Sequence, residues 1–336
     1  DYVNDYLFEG EYLLIGEDGS VINKDKSPVL HFVSGKFWAN NHAHVIQSKN
    51  YNLRFIYYAL QCCNIFELVK GTPPKLNQDN LKKIKIPIPP LVVQEKIVSI
   101  LDTFTELEAE LEAELEARKK QYAYYREKLL GFDYLDSITG GGISYMSLGD
   151  LFIIRNGYTP SKAKKEYWEN GTIPWFRMDD IRTNGRILAD SIQHITPEAV
   201  KGGKLFPANS IIISTTATIG EHALIIVDSL ANQQFTCLSP QVNCCEILNM
   251  KYFYYYCFIL GEWCRNNVNV SGFASVDMKK FKQFKIPLPP LEIQEKIVSI
   301  LDKFESLTND LSEGLPAEIK ARKKQYEYYR EKLLSF

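Results

Sequence analysis

The chain contains two copies of one long, nearly identical segment, and this duplication constrains its fold more than any other feature. One block reads KIPIPPLVVQEKIVSILDTF at 85–104 and returns as KIPLPPLEIQEKIVSILDKF at 285–304, with 16 of 20 positions identical. A second block reads ARKKQYAYYREKLLGF at 117–132 and returns as ARKKQYEYYREKLLSF at 321–336, with 14 of 16 identical. Self-similarity on this scale indicates two copies of one structural unit.

Each copy has the pattern of a long helix. Apolar residues recur at spacings of three, four and seven from Ile97 to Phe104, which is typical of one helical face. Neither Gly nor Pro occurs from Leu91 to Leu130, so the first copy predicts an unbroken helix of roughly 60 Å. Gly314 and Pro316 interrupt the second copy, where we expect a kink or a short break.

A short tandem repeat lies inside the first copy, where the tetrad Glu-Leu-Glu-Ala occurs three times in succession at 106–117. The second copy is four residues longer here, which predicts a second helix one tetrad longer. A tetrad advances a helix by about 6 Å and turns it about 40° past a full turn, which favours a right-handed wrap of packed helices. The residues predicted to pack between the helices are Leu107, Leu111, Leu115, Leu307, Leu311, Leu315 and Ile319.

The segments outside these helices predict globular domains. Residues 133–284 alternate strand-like runs, such as SIIIST at 210–215, with short helix candidates such as MKYFYYYCFIL at 250–260. Residues 1–84 align with the second half of that region, with FIYYAL at 55–60 opposite YYYCFI at 254–259. We therefore expect the first domain to lack roughly its first 65 residues relative to the second.

The predicted fold class is mixed α/β (α+β), with two domains joined by two long antiparallel α-helices in a pseudo-twofold arrangement. The predicted boundaries are a first domain at 1–88, a first helix at 89–131, a second domain at 132–288 and a second helix at 289–336.

Composition and missing motifs exclude several function classes. The net charge of −2 argues against a chain that binds nucleic acid through bulk charge. The sequence lacks a P-loop, a G-x-S-x-G elbow and a Gly-rich cofactor loop with an Asn/Asp-Pro-Pro-aromatic pocket, which indicates a chain without catalytic residues. Seven cysteines without C-x-x-C spacing predict neither a zinc site nor a disulfide framework. No apolar run or signal peptide is evident, so we expect a cytoplasmic protein with no membrane partner.

The duplicated blocks KIPIPPLVVQEKIVSIL and KIPLPPLEIQEKIVSIL resemble the conserved segments of the specificity subunit of type I restriction–modification systems. In that family such a segment closes a target-recognition domain and opens a conserved helix. Further similarity lies in RNGYTPSKAKKEYWENGTIPWFRMDDI at 155–181, STTATIGEHA at 214–223, ANQQF at 231–235 and VSGKFWANNHAHVI at 33–46.

The resemblance implies a division of labour among subunits. Each recognition domain would read one half of a bipartite site in double-stranded DNA, and the helices would set the spacer between the halves. Two methyltransferase subunits would dock on the helices, and restriction subunits would join that assembly. S-adenosylmethionine, ATP and Mg would belong to the partner subunits, so this chain would bind no cofactor.

Polar residues beside turns are the candidates for DNA contact, because Arg suits guanine edges, Asn and Gln suit adenine edges, and hydroxyls and Lys suit phosphates. The candidates in the first domain are Ser20, Asn23, Lys24, Lys26, Lys36, Asn41, His42 and Lys75. Those in the second domain are Arg155, Asn156, Tyr158, Thr159, Ser161, Lys162, Arg177, Arg182, Thr215, Thr216, Gln233, Gln234 and Ser271. The carboxylates Asp179 and Asp180 are interpreted either as partners of the neighbouring arginines or as readers of cytosine.

Three alternatives remain open at this stage. A pair such as His42 and His44 on one strand face is able to ligate a metal, although a structural or DNA-facing pair is the favoured interpretation. A recognition subunit of a system that fuses cleavage and methylation in one partner chain would have the same sequence features. A coiled-coil scaffold without a DNA role would explain the helices but not two similar domains that lead into identical helix starts.

Overall fold

A computed structural model describes residues 5–269, 274–310 and 312–335. The chain divides into two compact units, one formed by Asp1–Leu115 with Leu315–Phe336 and the other by Glu116–Gly314. Two residues singled out by the sequence, Ser271 and Leu311, lie outside the described residues.

The elements confirm the mixed α/β class. The strands are β1 Phe8–Gly16, β2 Leu30–Phe37, β3 Ala43–Ile46, β4 Ser144–Ser147, β5 Phe152–Asn156, β6 Ile173–Phe176, β7 Ile187–Leu188, β8 His194–Ile195, β9 Ser210–Ser214, β10 His222–Ile225, β11 Leu230–Ala231, β12 Phe235–Pro240, β13 Val268–Asn269, β14 Ser275–Val276 and β15 Lys285–Leu288. The helices are α1 Leu53–Gln61, α2 Gln78–Leu81, α3 Leu91–Leu130, α4 Phe132–Thr139, α5 Leu148–Leu151, α6 Met178–Asn184, α7 Met250–Asn266, α8 Met278–Gln283, α9 Leu291–Asn309 and α10 Leu315–Leu334. Within the part of the chain that the structure describes, no helix is long and apolar enough to cross a membrane.

The domain of the first unit is a small antiparallel sheet covered by a helix. The strand order is β2-β1-β3, and the core residues Leu13 and Ile15 of β1 are fully buried. Asn52 caps α1 by accepting the backbone N–H groups of Arg54 and Phe55, each at 3.0 Å. This cap fixes the first residue of α1, and the buried face of the helix packs on the sheet in the core that contains Leu13 and Ile15.

The domain of the second unit is larger and has two cores on the two faces of one sheet. Five strands run in the order β5-β12-β9-β10-β7, with β7 parallel to β10 and the other neighbours antiparallel. The central strand β9 is buried at every residue, as its apolar sequence requires. Because side chains alternate across a strand, Ile211 and Ile213 enter the core that contains α7, whereas Ile212 enters the core beneath β6 and β11.

The same helix pair occurs in both units. In the first unit, Phe104 of α3 stacks on Tyr329 of α10 with ring centroids 5.5 Å apart, and Lys323 pairs with Glu112 at 2.8 Å. In the second unit, Phe304 of α9 stacks on Tyr125 of α3 at 5.4 Å. Each pair is antiparallel and combines the beginning of one repeat with the end of the other.

The first repeat forms the unbroken helix that its sequence predicts, since α3 has 40 residues from Leu91 to Leu130. The second repeat is broken between α9 and α10. Asp310 ends α9, and its side chain accepts the N–H groups of Ser312 at 2.7 Å and Glu313 at 3.1 Å. A Cβ at Gly314 would lie 2.4 Å from the carbonyl oxygen of Ser306, so this turn requires glycine. Pro316 follows in the first turn of α10, where proline is tolerated.

The prediction that the second helix is one tetrad longer is wrong. Helices α9 and α10 contain 19 and 20 residues, together one fewer than the 40 of α3. The four extra residues of the second copy are therefore taken up by the five-residue break and not by added helix. The break also means that Leu307 and Leu315 lie on two separate helices, α9 and α10.

The predicted packing leucines divide accordingly. Leu107, Leu111, Leu115 and Leu315 are half-buried and Ile319 is buried. Leu307 departs from the prediction with 38% of its surface exposed, because the next residue, Thr308, occupies the buried position of the last turn of α9.

The two domains are related by an offset that differs by two residues from the sequence alignment. Asn52 and Asn249 make equivalent contacts in their own units, and so do Tyr58 and Tyr255. Helix α1 therefore aligns with α7 at an offset of 197 residues. The alignment of FIYYAL with YYYCFI used 199 and is wrong by half a helical turn. Both segments are rich in aromatic residues, and composition alone does not fix their register.

Candidate nucleic-acid interface

A polar cluster forms where three segments of the second domain meet at the end of the five-stranded sheet. The hydroxyl of Thr236 donates to Asn156 Oδ1 at 3.0 Å and lies 2.9 Å from the hydroxyl of Thr215. Gly157 directly follows β5, and its surroundings leave no room for a side chain, because a Cβ there would lie 2.3 Å from the carbonyl oxygen of Ala231. Hydrogen bonds between side chains hold the three segments together, and the close backbone approach at Gly157 leaves no room for a larger residue there.

Several predicted contact residues are exposed around this cluster. Thr159 donates its hydroxyl to Gln233 Oε1 at 2.5 Å, and Gln233, Ser161 and Lys162 are exposed. Thr216 and Gln234 are half-buried at the same edge, and the backbone N–H of Thr215 donates to the Gln234 carbonyl at 2.9 Å. Amides, hydroxyls and a lysine in one exposed patch are suited to contacts with bases and phosphates.

Two predicted contact residues are engaged by the protein itself. The Arg155 guanidinium donates to the carbonyl of Leu205 and lies 5.0 Å from the Phe206 ring centroid. The Tyr158 hydroxyl accepts the N–H of Lys201 at 2.7 Å and donates to the Ala199 carbonyl at 3.2 Å. Both side chains hold the 199–206 loop, and their contact with DNA remains a prediction.

The 199–206 loop presents charges that the sequence analysis missed. Lys201 and Lys204 are both exposed, and Lys201 Nζ lies 4.6 Å from the ring centroid of Tyr158. Their short KGGK motif at 201–204 matches no known binding motif, so its positive charge was the only indication of a role. With Lys162 they add positive charge around the polar cluster.

Helix α6 shows that the two neighbouring carboxylates have different roles. Asp180 is fully buried and accepts the N–H groups of Arg177 and Ile192, each at 2.6 Å, so it is structural. Asp179 lies 4.0 Å from Arg177 and 3.9 Å from Arg182, which supports its interpretation as an arginine partner. The Arg182 side chain is 67% exposed, which leaves it available to a ligand.

A cavity of about 900 Å³ lies beside α6 in the second unit. Arg182, Arg186 and Arg265 line it together with Glu221 and Glu305. Arg186 is held by Glu221 at 2.6 Å and by the carbonyl of His222 at 2.9 Å. Burial and the nearby guanidinium of Arg186 lower the pKa of His222 to about 3, so this histidine is neutral and adds no charge.

The candidates of the first domain include a cluster of paired charges. His42 Nδ1 contacts a carboxylate oxygen of Asp18, and Lys75 Nζ lies 3.4 Å from Glu17. His44 donates Nε2–H to the Leu76 carbonyl at 2.7 Å. Glu17 and Asp18 are more than twenty residues from these histidines along the chain, so no local sequence pattern indicates the pairing.

These pairings favour the structural interpretation of the histidines. Among the residues that the structure describes, no group of three or more His, Cys, Asp or Glu side chains is arranged to hold a metal ion.

The remaining candidates of the first domain lie on loops and a sheet edge. Asn23 builds a turn by donating to the Pro28 carbonyl at 2.9 Å. Lys26 and Lys36 lie over the rings of Phe66 and Tyr6, at 5.3 and 4.5 Å. The exposed candidates here are Ser20, Asn23, Lys24, Lys26, Lys36, Asn41, His42 and Lys75.

Each domain is tied to its long helix by two side chains that the sequence analysis did not single out. Gln94 and Gln294 are 1% and 0% exposed, and each accepts the backbone N–H of the residue that caps the domain helix, Asn52 at 3.0 Å and Asn249 at 2.8 Å. Eight residues further on, Asp102 and Asp302 form a second tie. The sequence did contain an indication of the two glutamines, because each occupies a position of the apolar helical stripe where an apolar residue is expected.

The second tie uses a tyrosine and a cation in both units. Asp102 accepts the hydroxyl of Tyr58 and the guanidinium of Arg54, each at 2.5 Å. Asp302 accepts the hydroxyl of Tyr255 at 2.5 Å and the ammonium of Lys251 at 2.8 Å. Burial raises the tyrosine pKa well above its usual value in both cases, so both hydroxyls remain donors. Asp102 raises the pKa of Tyr58 further, and Glu305 together with Asp302 raises that of Tyr255.

The family model of the type I restriction modification DNA specificity domain matches residues 1–117 and 142–321. The chain belongs to this family. One relative, the EcoprrI specificity subunit of Escherichia coli, is 58% identical over 211 residues, which are 60% of this chain and about half (53%) of the relative. The type I specificity subunit S.HindORF215P of Haemophilus influenzae is 38% identical over 100% of this chain and 86% of its own length.

Solved structures share the fold of this specificity subunit. The S subunit of a type I restriction–modification system from M. genitalium has a TM-score of 0.58 at 16% identity, and the match covers 99% of this chain and 85% of that one. The HsdS subunit from Thermoanaerobacter tengcongensis has a TM-score of 0.54 at 18% identity, with 98% and 81% covered.

Proposed function

We propose that this specificity subunit reads a bipartite site in double-stranded DNA, one half with each domain, and that its long helices set the spacer. The observation that carries the proposal is the repeated junction, in which two different domains are tied to two nearly identical helices by the same side chains. A repeated junction that carries two different domains suits a chain that reads two different sequences at a fixed separation.

The second domain carries the stronger candidate surface. Its exposed amides, hydroxyls and lysines around the polar cluster, together with Arg182, form the proposed half-site reader. The first domain is smaller, and the pairing of His42 and Lys75 with acidic residues reduces the positive charge it offers to phosphate.

The catalytic steps are assigned to partners in this proposal. Two methyltransferase subunits dock on the helices, and restriction subunits join through them. S-adenosylmethionine, ATP and Mg are bound by those subunits, and the chain itself catalyses no reaction. The proposed site of action is the cytoplasm. A partner that fuses cleavage and methylation would use the same recognition chain.

The test is to co-express the chain with its methyltransferase partner in a host that lacks other methylation and to map modified bases. The expected result is one motif of two short specific halves separated by a spacer of fixed length. The matched control omits only this chain. A modified motif that is continuous, or that persists without the chain, would contradict the proposal.

A further inference from the structure

We propose that Gln94 and Gln294 are positioning residues that fix the angle between each domain and its helix and thereby the DNA spacer length that the subunit accepts. The inference rests on the proposed function and adds to it the residues that make the spacer strict.

The amide of each glutamine joins three segments of the chain. Gln94 accepts the N–H of Asn52 and donates to the carbonyl of Pro89 at 2.7 Å. Gln294 accepts the N–H of Asn249 and donates to the carbonyl of Pro289 at 2.8 Å. A single side chain thus connects the start of the domain helix, the proline turn and the long helix.

Gln294 makes one additional bond, to the carbonyl of Ile247 at 2.9 Å. The two glutamine side chains and the Pro289 carbonyl bond are buried, while the other bonds are partly buried. An apolar replacement of the glutamine removes all of these bonds at once.

The second tie, made by Asp102 or Asp302, restricts the angle between the domain helix and the long helix. Asp102 and Asp302 lie eight residues beyond the glutamines, which is about 12 Å along the helix axis. Apolar contacts of Ile97 and Leu101 with α1 also join the domain to the helix, but such contacts are not directional. Two hydrogen-bonded ties at this separation add the directional contacts that fix the angle. The domain helices α1 and α7 contribute both partners in each unit, through Asn52 with Tyr58 and Asn249 with Tyr255.

The repetition argues for a role beyond ordinary core packing. The domains differ in size, and α1 has 9 residues where α7 has 17. The ties nevertheless use equivalent residues in both units. An ordinary core adapts to its neighbours, while a junction that must present any domain at one angle has reason to stay the same.

The experiment uses the complete complex of this chain with its methyltransferase partners and a set of DNA duplexes. The duplexes carry the mapped half-sites with spacers from two base pairs shorter to two longer than the native one. Methylation rates are measured for wild type, Q294A, Q94A and Y255F, which removes only a hydroxyl of the second tie. The control is E295A, which changes an exposed residue adjacent to Gln294.

The expected result is a loss of spacer selectivity. The ratio of rates on native and altered spacers should fall about tenfold in Q294A, because the loss of three hydrogen bonds of the junction releases the fixed angle. The ratio should fall in the same direction in Y255F. E295A should keep the wild-type ratio. If Q294A does not assemble, Y255F and Q94A decide the question.

A merely structural role would slow methylation equally on all spacers and leave the ratio unchanged, and that outcome overturns the inference. The inference is also overturned if the variants equal wild type on every duplex. Failure of the proposed function looks different, because the wild-type complex would then show no dependence on a bipartite site.

Discussion

Arg155 and Arg182 show how far a single residue is predictable from sequence. Both are arginines beside a turn, and both were candidates for DNA contact. Arg155 is held by the Leu205 carbonyl and the Phe206 ring, whereas Arg182 is 67% exposed beside Asp179. Residue type and neighbouring turns predict that a polar side chain is near the surface, but its partner comes from a loop about fifty residues away.

These two arginines allow a direct prediction. R182A should weaken specific DNA binding by the partner complex about tenfold, since an arginine contact to a base or phosphate is worth roughly 1–3 kcal/mol. R155A should instead lower the free energy of unfolding by about 1–3 kcal/mol, because it frees the 199–206 loop. Gel-shift titration and thermal unfolding of both variants provide the measurements. An R182A variant with wild-type affinity, or an R155A variant with unchanged stability, would contradict the respective assignment.

Gln94 and Gln294 illustrate what sequence reasoning overlooks for a different reason. Each lies on the buried face of its helix, Gln94 with Ile97 and Leu101 and Gln294 at the equivalent position. A search for apolar periodicity disregards a polar residue at such a position. A buried amide is nevertheless the side chain able to satisfy a donor and an acceptor of another segment at once.

At the scale of elements, regular patterns were predictable and interruptions were not. The bounds of α3 follow from forty residues without Gly or Pro, and α7 follows from its apolar run. The strand β9 lies within the Ile-rich run SIIIST at 210–215. The break between α9 and α10 was expected, but its five-residue length depends on the Asp310 turn and the close approach of Gly314 to Ser306, which no pattern encodes.

The tandem tetrads give the prediction that belongs to this scale. Deleting Glu110–Ala113 should shorten α3 by about 6 Å and rotate one end by about 40°. Because the tetrads are identical, the deletion leaves Glu108 in place and brings Glu116 to the position of Glu112, so a glutamate remains at both positions that pair with Lys323. We expect a recognised spacer shorter by about one base pair, which rises about 3.4 Å.

Methylation mapping of the deletion variant measures the result. The matched control is E110A, which keeps the helix length and should keep the spacer. Unchanged spacing in the deletion variant, or new half-sites, would show that the helix does not set the spacer.

Charge is a property of the whole molecule, and here it limits what the chain achieves alone. The net charge is −2, and residues 133–284 contain 14 Lys and Arg against 14 Asp and Glu. Phosphate contacts supply most nonspecific affinity and require clustered positive charge. The cations of the second domain are balanced by an equal number of acidic residues, so we expect the methyltransferase partners to supply much of the electrostatic attraction to DNA.

We therefore predict that the chain alone binds its site weakly and with strong salt dependence, and that the partner complex binds far more tightly. Fluorescence anisotropy at several salt concentrations, with and without methyltransferase, measures both affinities. The control duplex has the same composition with scrambled half-sites. Equal affinity of the chain with and without partners at one salt concentration would refute the prediction.

The helix pair of the first unit has a consequence for synthesis of the chain. Residues 5–115 pack on α10, which begins at Leu315, so the first domain meets its own helical partner only after the entire second unit has left the ribosome. Until then the helical face around Ile97 and Leu101 has no cover from Leu334. The contacts that complete the first unit thus have sequence separations above two hundred residues, and such contacts form slowly. Phe55, Tyr58 and Ala59 are synthesised before this face and are able to cover part of it, whereas Leu334 completes the cluster only when the last residues of α10 are made.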